Sequence, residues 1–372
     1  MAKFTDIFED VTKQGTKIPT NLYLETGMHP IIDQGQSQVA GYTNETEGVF
    51  TDIPAIIFGD HTRIIKYVDA PCFLGADGVK LLKAKDSTAN YKYLYYALCN
   101  ADIPNTGYNR HFKWLKEIEI PEYSTEEQNS IVAQLEKIDI LIYLRKQQLS
   151  KLDELVKSRF VELFGDPVAN PFGWRKLTVQ QAIDEKIIDK PLDGNHGGKH
   201  PKTSDYVPSG IPFIMANNLV EGKVDLENCA FISRKQADSL DKGFAKDGDV
   251  LITHKGTIGR TAILHCSYPY IMLTPQVTYY RPKSGIIPEY LKAYFDTDYF
   301  QGIIGNIASV GSTRAYIGIT AQQELPLIVP PMELQKQFAT FVEQTDKSKF
   351  EIQESLEKLE TLKKALMQKY FG

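Results

Sequence analysis

Two stretches of this 372-residue chain crowd glycine with side chains that donate hydrogen bonds: Asp193-Gly194-Asn195-His196-Gly197-Gly198-Lys199-His200-Pro201-Lys202 and Thr253-His254-Lys255-Gly256-Thr257-Ile258-Gly259-Arg260. Glycine lets a backbone approach a ligand closely. Lys199, Lys202 and Lys255 are of the type that reaches phosphate oxygens. Asn195, His196, His200, His254, Thr257 and Arg260 are of the types that meet base edges, and Asn217 and Asn218 join them. The first half of the chain offers Asp60, His61 and Arg63 in Gly59-Asp60-His61-Thr62-Arg63. It also has a later polar turn, Asn105-Thr106-Gly107-Tyr108-Asn109-Arg110-His111, whose candidates are Tyr108, Asn109 and Arg110. The late turn of the second half, Gly311-Ser312-Thr313-Arg314, ends on Arg314. Any one of these loops, taken alone, reads rather as an ordinary solvated turn. An arginine recurs in both halves, Arg63 with Arg260 and Arg110 with Arg314, which sets a nucleic-acid-reading surface beside that plainer account.

Catalytic patterns are missing. Asn170-Pro171-Phe172 resembles the start of the Asn-Pro-Pro-aromatic loop with which amino-methyltransferases hold a flipped base, but the second proline is absent. No glycine-rich cofactor turn precedes it. His196 and His200 have a metal-ligand spacing only on a helix, and the glycines and proline around them oppose one. There is no HExxH, no Walker lysine loop and no GxSxG turn. The residues therefore suggest no catalytic group, no cofactor and no metal in this chain.

Composition narrows the class. Hydrophobic residues make up 42% and charged ones 24%, which describes a cored protein rather than a disordered one. No apolar run reaches the roughly 18–20 residues of a membrane helix, and the opening MAKFTDIFEDVTKQG has no apolar signal region. Cys72, Cys99, Cys229 and Cys266 form no CxxC pair and read as cytosolic thiols, so the expected place is the cytoplasm. A net charge of −5 argues against nonspecific coating of nucleic acid, though not against a site-specific binder.

The loops must be held by something, and the chain is a duplication. Displaced by 207 residues, Gln128 falls on Gln335, Asp139 on Asp346, Leu149 on Leu356 and Phe164-Gly165 on Phe371-Gly372, without a gap. Both copies have a helical seam. The first runs Ile131, Leu135, Ile138, Ile142, Leu149, Leu152 and Val156; the second runs Phe338, Val342, Ile352, Leu356, Leu359, Leu362 and Leu366. Ser124 or Thr125 with Glu127-Gln128 suits a capping box, Pro330-Pro331 precedes the second copy, and Gly165 and Gly372 suit helix ends. A helix of about 38 residues spans roughly 57 Å and needs a partner along its stripe. The two helices pack on each other antiparallel, or each on its own domain. Upstream of each lies a mixed α/β segment, with Tyr93-Leu94 and Tyr290-Leu291 in corresponding places. The expected order is residues 1–120, a helix over 121–165, a linker over 166–173, a second segment over 174–329 and a helix over 330–372.

That order, with FVELFGDPVANPFGW, the paired IPEYSTEEQNSIVAQLEKID and VPPMELQKQFATFVEQTD, and GIPFIMANNLVEGKV, resembles the specificity subunit of type I restriction-modification enzymes over the whole chain. The resemblance implies an α+β architecture: two mixed α/β target recognition domains, separated and followed by two long helices forming an antiparallel coiled coil with a pseudo-twofold repeat. It implies that each domain reads half of a split, asymmetric site on double-stranded DNA. The helices would act as a spacer and dock two modification (methyltransferase) subunits, through which restriction-translocase subunits join. S-adenosylmethionine would belong to the methyltransferase subunits, ATP and Mg to the restriction subunits, and the subunit itself would not be an enzyme. Two other readings stay open: a stand-alone duplicated DNA-binding protein, and a helical scaffold without DNA specificity. Gel shift with and without a methyltransferase partner separates the three.

Overall fold

The short β-branched runs of each half become sheets that carry the loops at their ends. The computed structural model of the chain describes residues 1–75, 78–309 and 315–372, with every side chain among them except those of Lys199 and Ser309. They form two compact units, one of residues 1–147 with 352–372 and the other of residues 148–351. The sequence reading sets the long helices apart as segments of their own. In the structure each helix is instead shared, giving one end to each unit.

In the first unit Phe8–Asp10, Val79–Ala84, Ala55–Gly59 and Ile65–Val68 form an antiparallel sheet in that order. Beside it His29–Ile32 pairs antiparallel with Gly41–Thr43 and parallel with Phe73–Leu74. The second unit has the same order in Leu192–Asp193, Val277–Tyr280, Val250–Lys255 and Thr257–Ile263, extended by Lys223–Val224 and Leu219–Val220. Its Ile211–Ile214 again has one antiparallel neighbour, Ala230–Ile232, and one parallel neighbour, Ile271–Leu273.

Hydrogen bonds make the duplication concrete. Tyr93 and Tyr290 are buried on the helices Tyr91–Cys99 and Pro288–Phe295. The Tyr93 hydroxyl donates to the Pro121 carbonyl at 2.6 Å, and the Tyr290 hydroxyl to the Ile328 carbonyl at 2.9 Å. Those acceptors stand at the same 207-residue displacement as the helices. So do the carbonyls of Tyr123 and Pro330, which take the side-chain amides of Gln128 and Gln335 at 3.0 and 2.8 Å.

The first long helix, Thr125–Phe164, opens behind a capping box in which Ser124 Oγ accepts the Glu127 N–H and the Glu127 carboxylate accepts the Ser124 N–H at 2.8 Å. It stops at Gly165, whose φ of +78° is a left-handed cap that a side chain would strain. The second is Met332–Phe371. In the first unit Asp139 binds Lys363 and Lys146 binds Glu360 at 3.1 Å. Residue numbers rise along one helix as they fall along the other, so the pairing is antiparallel. In the second unit Phe160 and Phe164 pack on Phe338 with ring centroids 5.7 and 5.5 Å apart, and Lys349 binds Asp153 at 2.5 Å, in the same sense.

Ile131, Leu135, Ile138, Phe338 and Leu356 are buried, and Leu149, Leu152, Val342 and Leu359 half-buried. Leu362, expected in the seam, is 48% exposed. Here the second helix leaves a strict seven-residue seam, because a 3.6-residue turn drifts against it. Leu366 and Met367 instead reach the core around Tyr93. Phe164 ends the first helix on Tyr290, with centroids 4.7 Å apart, and Phe371 ends the second on Tyr93, at 5.3 Å. Each helix therefore finishes in the core of the domain that it does not directly follow. Among the described residues no helix is long and apolar enough to cross a membrane.

Candidate nucleic-acid interface

Adjacent residues of a strand face opposite ways, and this sorts the candidates. His254 on Val250–Lys255 points inward and is 1% exposed, while Lys255 points out. His254 Nδ1 lies 2.7 Å from the Thr278 hydroxyl, which accepts from Gln322 Nε2 at 3.2 Å. Gln322 Oε1 in turn accepts the Tyr280 hydroxyl at 3.0 Å. His254 Nε2 is buried with no hydrogen-bond partner, 3.8 Å from Asp193 Oδ2. Burial drives the His254 pKa down to about 4 although Asp193 opposes the shift, so the ring is neutral near pH 7. Burial pushes the Asp193 carboxyl up, but hydrogen bonds from Lys242 and His196 prevail and hold it below the ordinary carboxylate range.

Three further candidates are also internal. The Asn195 side chain donates to the Lys242 carbonyl at 2.6 Å and accepts the Asp241 N–H at 3.1 Å. Asn218 Oδ1 accepts the Met215 N–H at 2.9 Å. Asp60 Oδ1 accepts the Phe112 N–H at 2.8 Å, and its carbonyl accepts the N–H of the fully buried His111 at 2.8 Å. Expected as ligand contacts, Asp60, Asn195, Asn218 and His254 instead hold the loops from beneath. Asp60, Asn195 and Asn218 satisfy backbone groups and His254 meets the Thr278 hydroxyl, all where water is excluded.

The exposed set is Tyr108, Asn109, Arg110, His196, Lys202, Asn217, Lys255, Thr257 and Arg260. His61, Arg63 and His200 are half-buried. The backbone of Lys199 lies in the turn Gly197–Lys199, and Arg314 lies outside the described residues. Arg63 sits at a φ of 63° and donates to the Ile103 carbonyl at 3.0 Å, tying its hairpin to the segment before the late turn. By sheet register Ile64, not Arg63, stands where Arg260 stands: Ile65 opposes Phe58 as Thr261 opposes Ile252, two residues before Asp60 and His254. The arginines paired in the sequence are thus not equivalent in space.

In both units the strand end is tied to the segment that closes or follows the late turn. The Ile317 N–H donates to the His254 carbonyl at 2.9 Å, much as His111 does to Asp60. In the first unit the His61 ring stacks on Tyr108, 4.6 Å apart and 7° from parallel, with His61 Nδ1 3.1 Å from the Asn109 carbonyl. In the second, Lys255 Nζ lies 6.0 Å from the ring centre of Tyr316. Tyr316 and Lys242 are missed by sequence reasoning. Tyr316 had a signal, an aromatic residue two positions after the late turn; Lys242 had none. Arg260 also borders an open groove of about 400 Å³ with Lys292, which pairs with Asp296 at 2.7 Å. Among the described residues no three His, Cys, Asp or Glu side chains are grouped so as to hold a metal. What the arrangement offers is anchored cations and aromatic faces, the means of gripping phosphates and stacking on bases.

The family model for the type I restriction modification DNA specificity domain matches residues 1–154 and 192–364. The MjaVIII specificity subunit of a type I restriction enzyme from Methanocaldococcus jannaschii is 22% identical over 314 residues, covering 79% of this chain and 74% of that one. The solved S subunit of a type I restriction-modification system from M. genitalium is 17% identical with a TM-score of 0.61, covering 100% of this chain and 95% of that chain. A chain solved in work on complex assembly and conformational transition of the type I R-M system is 18% identical with a TM-score of 0.55, covering 100% and 95%. These two likenesses concern the fold.

Proposed function

Since this chain belongs to the type I restriction-modification DNA specificity family, whose specificity subunits are the non-catalytic DNA-recognition components, we propose that its two domains each read one half of a split, asymmetric DNA site. The observation that carries this is the duplication. Two domains share a strand order, and in each a strand end lies beside an exposed aromatic ring, Tyr108 against His61 in one and Tyr316 near Lys255 in the other. Their exposed side chains differ, Tyr108 and Arg110 in one and Lys255 and Arg260 in the other, so the half-sites read are different sequences. The long helices act as a spacer between reading heads and as docking surface for two modification subunits, with restriction-translocase subunits joining through these. Methyl donor and nucleotide are held by those partners. An acidic total charge is consistent with partners that share the phosphate contacts.

Co-expression with a cognate methyltransferase subunit, followed by sequencing of the methylated positions, tests this. The expected result is one bipartite motif with a fixed unread gap. A contiguous motif, or methylation independent of this chain, overturns it.

A further inference from the structure

Tyr108 is 86% exposed, yet it is not on a free loop. One face of its ring is covered by His61, and the opposite face is bare. His61 is itself fixed: its N–H donates to Gln34 Oε1 at 3.2 Å and its Nδ1 meets the Asn109 carbonyl at 3.1 Å. The turn is pinned at its far end by His111, fully buried, with both its N–H and its ring Nδ1 on the Asp60 carbonyl at 2.8 and 2.9 Å. Within the turn Asn109 donates to the Thr106 carbonyl at 2.5 Å. A large apolar ring held out in water from a tied-down loop leaves apolar area unburied that a flexible side chain would cover. Arg110 beside it is exposed, a cation suited to the neighbouring phosphate.

From this we infer that Tyr108 is a stacking wedge, whose bare face lies against a base of the half-site read by the first domain. An aromatic inserted at a base step unstacks it and bends the duplex, and a rigid support lets the protein spend binding energy on that step rather than on ordering the loop. His61 is the positioning residue: its ring backs the tyrosine and stops it folding down onto the sheet. The hydroxyl is not needed, because stacking uses the ring face. The inference rests on the reading of the two domains as DNA-recognition heads and assigns a contact within the first.

The test uses the co-purified complex with its methyltransferase subunit and duplexes carrying its motif, once methylation sequencing has defined it. 2-Aminopurine is placed at each position of the first half-site in turn. With the native chain, fluorescence changes at one step. Tyr108→Ala removes that change and weakens binding roughly 5- to 150-fold, the range expected for loss of one aromatic-base stack. Tyr108→Phe keeps both the signal and the affinity. Reading of the second half-site is unchanged in either variant. Unaltered fluorescence and affinity in Tyr108→Ala, with the bipartite motif still recognised, would overturn the wedge and leave the specificity reading standing. Loss of both in Tyr108→Phe would equally overturn it, pointing to a hydrogen bond instead. If no bipartite motif is found for the native chain, the specificity reading itself fails.

Discussion

His254 and Lys255 are neighbours on one strand, and their chemistry separates by face. Lys255 is exposed, and a single phosphate contact from it makes a specific forecast: Lys255→Ala weakens DNA binding by the complex and lowers the salt slope by about 1, with assembly intact. Arg260→Ala impairs reading of the second half-site alone; if either variant fails to assemble by size exclusion, the residue is structural. His254 acts through stability. Its folded pKa of about 4 lies below the usual 6.5, so between those values the unfolded chain binds the extra proton. Stability is therefore unaffected above about pH 6.5, falls as pH drops through that window, and is fully reduced near pH 4. His254→Asn flattens the melting temperature against pH over that range, measured by calorimetry, and an unchanged slope would remove His254 as the cause. Asp60 completes the residue scale. Asp60→Ala orphans the Phe112 N–H, costing about 1–3 kcal/mol, read as a lowered melting temperature. Residue types were legible in the sequence at all these positions, but facing was not. Nothing in Gly59-Asp60-His61 says that the acid turns in and the histidine out; the opposing strand and the late turn decide that.

Elements were read more securely than residues, since helix signals are local. The Ser124–Glu127 box, the Gly165 stop and the gapless 207-residue register all reappear as geometry. Leu362 was misread because a heptad count cannot show where a helix leaves its partner for a globular core. Strand order was not legible either, as short β-branched runs carry no record of which neighbour they pair with. If the helices space two reading heads, their length is a ruler. Forty residues at 1.5 Å give about 60 Å, and removing four from each shortens that by about 6 Å, near two base pairs. The methylated motif should keep both half-sequences and lose unread positions between them; a motif of unchanged length would sink the ruler.

At the scale of the whole molecule, the sharing of the helices bears on what half a chain can do. The first unit draws residues 352–372 from the far end of the chain, and Leu366, Met367, Tyr370 and Phe371 pack on the core around Tyr93. A chain ending after Gly165 lacks them, so its domain is left with an uncovered tyrosine helix. Residues 145–165 of a second such chain are the repeat mates of 352–372, and Phe164 is the mate of Phe371. In the second unit Phe164 already packs on Tyr290, the mate of Tyr93, so the geometry that a second copy needs is one this sequence makes. Two truncated chains can therefore complete each other by exchanging helices, turning pseudo-symmetry into true twofold symmetry. The expected outcome is a dimer by analytical ultracentrifugation that, with methyltransferase, modifies a palindromic site built from the first half-site and its inverted copy. The interface should depend on Phe164, since Phe164→Ala opens a cavity costing about 3–5 kcal/mol per helix end. A soluble, folded monomer of residues 1–165 would show that the helix end is dispensable to the first domain, and would contradict the exchange.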